Sequence, residues 1–145
     1  MKFQKSFLIL IPAAFAVMVF ACNKDTGLPS FADSCTEGLN GNITIKFKEA
    51  HHNKTIPSLP NYPDSLFIKF NTSEFPGDDA SQYDLVLAGT APDSVIIVNN
   101  LSCGRYYVFM TGWDSGIVQR VKGGIPLTIP EEASNLDITV PVTED

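Results

Sequence analysis

The most constraining feature of this sequence is a two-residue alternation of apolar and polar side chains. It runs through Ile43–Lys48 and returns further on, where Leu66, Ile68 and Phe70 share one face. A strand with one buried and one solvated face has this period, whereas no window offers the 3.6-residue period of an amphipathic helix. The sequence therefore predicts an all-β protein.

Further strands are predicted between turn signals rich in Gly, Pro and Asn. They cover Tyr83–Ala88, Ser94–Val98, Arg105–Trp113, Gly116–Lys122, Ile125–Ile129 and Asn135–Thr143. Seven or eight short strands in one domain predict an antiparallel sandwich of two sheets. The predicted core consists of Phe47, Phe70, Val86, Ile96, Tyr107, Phe109, Ile138 and Val140.

Residues 1–21 have the pattern of an export signal peptide. Lys2 and Lys5 precede an apolar run, Phe7–Phe20, that is shorter than the roughly 20 residues of a membrane-spanning helix. The run continues into Ala21-Cys22, which resembles the lipobox of bacterial lipoproteins. The resemblance implies cleavage before Cys22 and attachment of acyl chains, including palmitate, to that cysteine. An ordinary signal peptide or an uncleaved anchor is the alternative, because the family usually has a smaller residue than Phe20.

The rest of the chain divides into a short tether and one domain. Residues 22–37 lack strand or helix periodicity and are predicted to be a flexible tether, and residues 38–145 form the β-sandwich domain. The formal net charge is −6, with no stripe of basic side chains, so nucleic acid is excluded as a partner. We expect a protein held in the cell envelope, at the outer membrane, by its acyl chains rather than by a basic patch. Its periplasmic or surface face is left open.

Two cysteines remain once Cys22 is assigned to the lipid. An oxidising envelope compartment permits a disulfide between Cys35 and Cys103. Two unpaired thiols are the alternative, since neither cysteine belongs to a C-x-x-C motif.

The segment that follows Val95–Val98 resembles a known fold family. Asn100–Val108 (NLSCGRYYV) is similar to the N-L-x-x-G-x-Y-x-V signature of transthyretin-like, carboxypeptidase-regulatory-like sandwiches. Several short segments also resemble small Bacteroidetes-type lipoproteins: His51-His52, Ile68–Phe70, Glu74–Gly77, Tyr83-Asp84 and Gly123–Pro126. The resemblance implies a transthyretin-like sandwich over most of residues 40–143, and fold alone does not imply function.

His51 and His52 are the strongest candidates for metal binding. They lie in a polar stretch after the first predicted strand, and imidazole is the commonest transition-metal ligand. Adjacent residues at a strand end tend to point to opposite sides, so a site would need a third ligand from another loop. Nearby carboxylates such as Glu49 could complete a site, and Asp78, Asp79 or Asp84 are the predicted suppliers from another loop. Two solvated histidines are the alternative reading.

Trp113 and Asp114 form a candidate contact site for a partner. An indole beside a turn can either close the end of the sandwich or provide a stacking surface for a sugar or peptide. No motif of a known catalytic class is present, so no enzyme is predicted and no cofactor beyond a divalent metal.

These observations predict a membrane-anchored, non-enzymatic binding or accessory module. Its sandwich loops would contact an envelope protein, a glycan or an ion, since loops on a rigid scaffold commonly carry such contacts. The alternative is a metal-handling lipoprotein that uses the two histidines with loop carboxylates. A pilin-like fibre subunit is a minor third hypothesis.

Overall fold

The computed structural model describes residues 35–145 and confirms an all-β protein. Its strands are β1 (Ile43–His51), β2 (Lys54–Thr55), β3 (Ser65–Phe70), β4 (Leu85–Ala88), β5 (Ile96–Leu101), β6 (Gly104–Asp114), β7 (Gln119–Ile129) and β8 (Asn135–Glu144). One turn of 3-10 helix, Ala80–Gln82, precedes β4. The predicted signal peptide and Cys22 lie outside the described residues. Within 35–145, no helix has the length and apolar character needed to cross a bilayer.

The strands form one curled mixed sheet. Its order is β2-β1-β8-β7-β6-β3-β4, and β5 pairs with β1 outside this path. The prediction of a purely antiparallel arrangement is wrong at one pair, because β1 and β8 run parallel from Thr44 opposite Asn135 to His51 opposite Val142. All other strand pairs of the described chain are antiparallel. The two-residue alternation in a sequence indicates which face of a strand is buried, but it does not indicate whether the adjacent strand runs parallel or antiparallel.

Two strands that were predicted separately, Gly116–Lys122 and Ile125–Ile129, form the single strand β7. Gly123 and Gly124, which separate these two predicted strands, lie in the middle of β7 opposite Met110 and Phe109 of β6. A Cβ on Gly124 would lie 2.7 Å from the ring of Tyr107. The glycine pair therefore allows close packing within the sheet instead of reversing the chain.

The sheet curls around a main apolar core, and Ile56, Val121 and Val142 form a second, smaller cluster. The buried residues of the main core are Ile43, Ile45, Phe47, Leu66, Ile68, Ile96, Val98, Leu101, Tyr106, Val108, Met110, Ile129 and Val140. Of the predicted core, Phe47, Ile96 and Val140 are confirmed there, and Phe70 and Ile138 pack against it while partly exposed.

Three predicted core residues lie elsewhere. Val86 is 47% exposed, because its neighbours on β4 supply the inward-facing side chains. Tyr107 and Phe109 lie on the outer face of β6, where Phe109 is buried among other aromatic rings. Both faces of β6 carry aromatic side chains, and the structure buries Tyr106 in the core instead of Tyr107.

The start of the described chain is attached to the domain. Cys35 and Cys103 form a disulfide with a Cα–Cα distance of 5.3 Å, as predicted. Glu37 Oε1 accepts a hydrogen bond from the backbone N–H of Arg105 at 3.0 Å. The last residues of the predicted tether therefore contact the beginning of β6.

Candidate metal centre

Polar side chains gather at one end of the buried face. In β1, Glu49 and His51 continue the inner row that contains Phe47, and all three are buried. At the same end of the sheet, the inward-facing rows of β6 and β8 finish in the acidic residues Asp114 and Glu144, and Asp64 directly precedes β3. The cluster consists of Glu49, His51, Asp64, Asp114 and Glu144. Since β1, β6 and β8 end at this side of the sheet and β3 begins there, the sheet topology brings the five side chains together.

His51 is fixed by a carboxylate. Its Nδ1 lies 2.8 Å from Asp114 Oδ2, and only 3% of its side chain is exposed. The hydrogen bond to Asp114 raises the pKa of His51 and lowers that of Asp114, which also accepts a hydrogen bond from the Gly116 N–H at 2.8 Å. Because an ionised carboxylate only accepts, Nδ1 donates and Nε2 faces Glu144 Oε2 at 3.5 Å.

His52 is turned toward the same carboxylate by the hairpin that joins β1 to β2. His51 pairs with Lys54, and the two residues between them, His52 and Asn53, have φ values of 49° and 63°. Positive φ at both positions is typical of a two-residue hairpin turn. The two imidazole centroids lie 4.1 Å apart, and His52 Nε2 is 4.0 Å from Glu144 Oε1. Because His52 adopts the left-handed backbone conformation, its imidazole lies on the same side as that of His51, whereas adjacent residues of a strand would point to opposite sides.

His51, His52 and Glu144 form a group suited to a divalent transition metal. One ligand atom from each lies within 4.8 Å of the other two. Two imidazoles and one carboxylate are a common donor set for Zn²⁺ and related ions, and a carboxylate on the second histidine nitrogen commonly orients such a ligand. His52 is 81% exposed, so one side of the group is open to solvent.

The predicted carboxylate ligands do not belong to this group. Asp78 Oδ2 accepts from Lys122 Nζ at 3.0 Å, and Asp79 Oδ1 accepts from the Ser81 N–H at the start of the 3-10 helix. Glu144 takes the position of the third ligand. It was missed in the sequence, although it continues the row of Val140 and Val142 on β8.

Behind the histidines lies a buried pair of carboxyl groups, Glu49 and Asp64. Glu49 is fully buried and Asp64 is 2% exposed. Burial, followed by the charge of Asp64, raises the pKa of Glu49 to about 8, and burial raises that of Asp64 to about 6. A hydrogen bond between the two acids also raises the pKa of Glu49, and no other described residue donates to either Glu49 oxygen or to Asp64 Oδ1. Asp64 was not predicted as a metal ligand, and Glu49 was predicted only as a nearby carboxylate that could complete a site with the histidines.

Trp113 lies on the opposite, outer face of β6. Its indole stacks on the ring of Tyr62, with centroids 4.4 Å apart and planes inclined by 14°. A shallow cleft beside the pair is also lined by Ser65, Thr111 and Arg120. Asp114, grouped with Trp113 in the sequence, points to the inner face and holds His51.

The fold and this cluster define an all-β domain with a histidine–carboxylate site at one end of its core. No family model matches the sequence, and a comparison with curated proteins gives no significant match. Among solved structures, the chain is similar to a DUF4876 family protein from Bacteroides thetaiotaomicron VPI-5482, with a TM-score of 0.36 and 19% identity. The similarity covers 70% of this chain and 24% of that protein, which is a distant structural neighbour.

Proposed function

We propose that this protein is a lipid-anchored, non-enzymatic binding module of the cell envelope that binds a divalent transition metal ion. The observation that carries the proposal is the convergence of His51, His52 and Glu144 on one point. Asp114 supports it, because the carboxylate leaves His51 Nε2 as the nitrogen available to an ion.

The proposed domain type is a transthyretin-like sandwich anchored through Cys22. Strands β1 and β5 on one side and β3 and β6 on the other contribute to one core, which supports a sandwich arrangement. The anchor is supported by the lipobox-like segment at residues 19–22. Intact-mass measurement of the protein extracted from membranes tests it: a diacyl or triacyl mass on Cys22 is expected, and an unmodified Cys22 contradicts the anchor.

Metal binding is tested by calorimetry of the full-length protein in detergent, with Zn²⁺ and Cu²⁺ as titrants. We expect His52→Ala and Glu144→Gln each to weaken binding at least about tenfold, because each removes a ligand. Both side chains are exposed enough that the fold should be retained. Glu132→Gln, an exposed acid on the loop before β8, is the matched control.

The calorimetric result has clear alternatives. Loss of binding in His51→Ala and His52→Ala, with retention in Glu132→Gln, supports the proposal. No binding by the parent protein, or unchanged binding in the histidine variants, contradicts it.

A second candidate function is contact with a glycan or peptide through the outer face. The stacked Tyr62–Trp113 pair beside a cleft that contains Arg120 favours it, since aromatic faces and polar groups together are typical of such contacts. Glycan-array binding that Trp113→Ala abolishes, with Val86→Ala as an exposed control, would support this function. Binding that survives in Trp113→Ala would exclude this surface.

A further inference from the structure

The buried carboxyl pair Glu49–Asp64 is not used by the histidine site. Glu49 Oε1 and Asp64 Oδ1 both lie over Gly112 of β6, within contact of the position that a Cβ on that residue would occupy. A side chain at position 112 would displace the carboxyl groups. The glycine therefore creates the space in which the two acids meet.

The pair has no compensating positive charge among residues 35–145. The described lysine ion pairs are made elsewhere, by Lys69 with Asp84 and by Lys122 with Asp78 and Asp145. His51, the nearest cationic group of the cluster, is paired with Asp114 and Glu144. Buried carboxylates are normally paired, hydrogen-bonded or bound to a metal ion.

The carboxylate oxygens of Glu49 and Asp64 indicate what class of ion the pair could bind. Glu49 is fully buried, and no described residue outside the pair donates a hydrogen bond to its oxygens or to Asp64 Oδ1. Three of the four buried side-chain atoms without a partner in the described chain are these carboxylate oxygens, and the fourth is Nε2 of His51, which faces Glu144 at 3.5 Å. An all-oxygen donor set is what hard cations such as Ca²⁺ prefer, whereas transition metals favour nitrogen and sulfur.

We propose that Glu49 and Asp64 bind a hard divalent cation of the calcium class in the space above Gly112. The bound ion would take the place of the proton that the two acids hold in the metal-free protein, and it would join β1 to the segment entering β3. Its role would then be to stabilise the end of the core on which His51 is mounted. This site is distinct in its ligands from the histidine site and does not depend on it.

The test uses the full-length protein in detergent, freed of metal with a chelator that is then removed. Tb³⁺ is the probe, because it replaces Ca²⁺ at oxygen sites and its emission is sensitised by a nearby indole; Trp113 is the neighbour of Gly112 in β6. Thermal unfolding with and without Ca²⁺ gives a second readout, since an ion that binds only the folded state raises Tm. Glu49→Gln and Asp64→Asn remove charge and keep shape, and exposed Glu132→Gln and Asp137→Asn are the matched controls.

We expect Tb³⁺ emission that Ca²⁺ displaces, a Ca²⁺-dependent rise in Tm, and at least about tenfold weaker binding in both variants of the pair. The control variants and His52→Ala should bind Ca²⁺ as the parent does. A parent without either signal overturns the proposal, and so does a signal that survives in both Glu49→Gln and Asp64→Asn. Zn²⁺ calorimetry on the same variants separates the two sites: a failure of the histidine site leaves the Ca²⁺ result unchanged.

Discussion

Replacing Glu49 by Gln should change how stability depends on pH. In metal-free buffer with chelator, the unfolded chain ionises this side chain near its ordinary pKa of 4.5, whereas burial holds the folded pKa at about 8. Between these values the folded state keeps a proton that the unfolded state has lost. The free energy of unfolding of the parent therefore falls as pH rises, by about 1.4 kcal/mol per pH unit.

Between pH 6 and pH 8, the pH dependence of the free energy of unfolding comes mainly from Glu49. Asp64, whose folded pKa is about 6, contributes mainly below this window. The expected loss from Glu49 across it is on the order of 2 kcal/mol. His51, whose pKa is raised by Asp114, also loses stabilisation as pH rises. Because Glu49 is not among the groups that shift the pKa of His51, this loss is common to both proteins and leaves the difference between them unchanged.

Urea unfolding followed by circular dichroism at half-unit pH steps measures this difference. We expect Glu49→Gln to gain on the parent progressively from pH 6 to pH 8, and exposed Glu132→Gln to run parallel to the parent. If the Glu49→Gln and parent curves also run parallel, folding does not raise the pKa of Glu49, and the reasoning is refuted.

Three further tests by substitution concern the fold. Replacing both Cys35 and Cys103 by Ser should lower the free energy of unfolding by about 4 kcal/mol in urea, because the disulfide closes a loop of sequence separation 68; a loss below about 1 kcal/mol would contradict this. Gly112→Ala should lower Tm far more than Gly116→Ala, since only the former places a methyl group on a buried carboxyl; equal shifts would count against that packing. Tyr106→Phe should cost about 1 kcal/mol in thermal unfolding, because its hydroxyl donates to the Ser102 carbonyl; an unchanged Tm would argue against that bond.

The sequence predicts the strands of this protein better than their arrangement. Alternation around Phe47 and Ile68 identifies buried faces, since that pattern is local. The parallel pairing of β1 with β8 depends on residues far apart in the chain, and no local signal encodes it. Tyr106 and Tyr107 are equally good core residues by composition, so only the register of β6 against its neighbours decides between them.

In the candidate site too, the sequence predicts local chemistry but not the contacts between residues far apart in the chain. His51 and His52 were identifiable from their chemistry, but their shared orientation depends on positive φ in the turn. Glu144 reaches them only through the β1–β8 pairing, whereas Asp78 and Asp79 are engaged by Lys122 and Ser81. Glu49 was predicted only as a carboxylate near the histidines. Its burial beside Asp64 was not predictable, since a sequence does not show that a glycine on another strand makes room for it.

The disulfide determines where a mechanical pull on the N-terminal segment enters the domain. Cys35 is joined covalently to Cys103, one residue before β6, so the force is divided between β1 and the start of β6. Strand β6 is hydrogen-bonded on both sides, to β3 and β7. Extension would therefore have to shear a central strand together with β1, and reduction of the disulfide would let the same pull peel β1 away from its neighbours first.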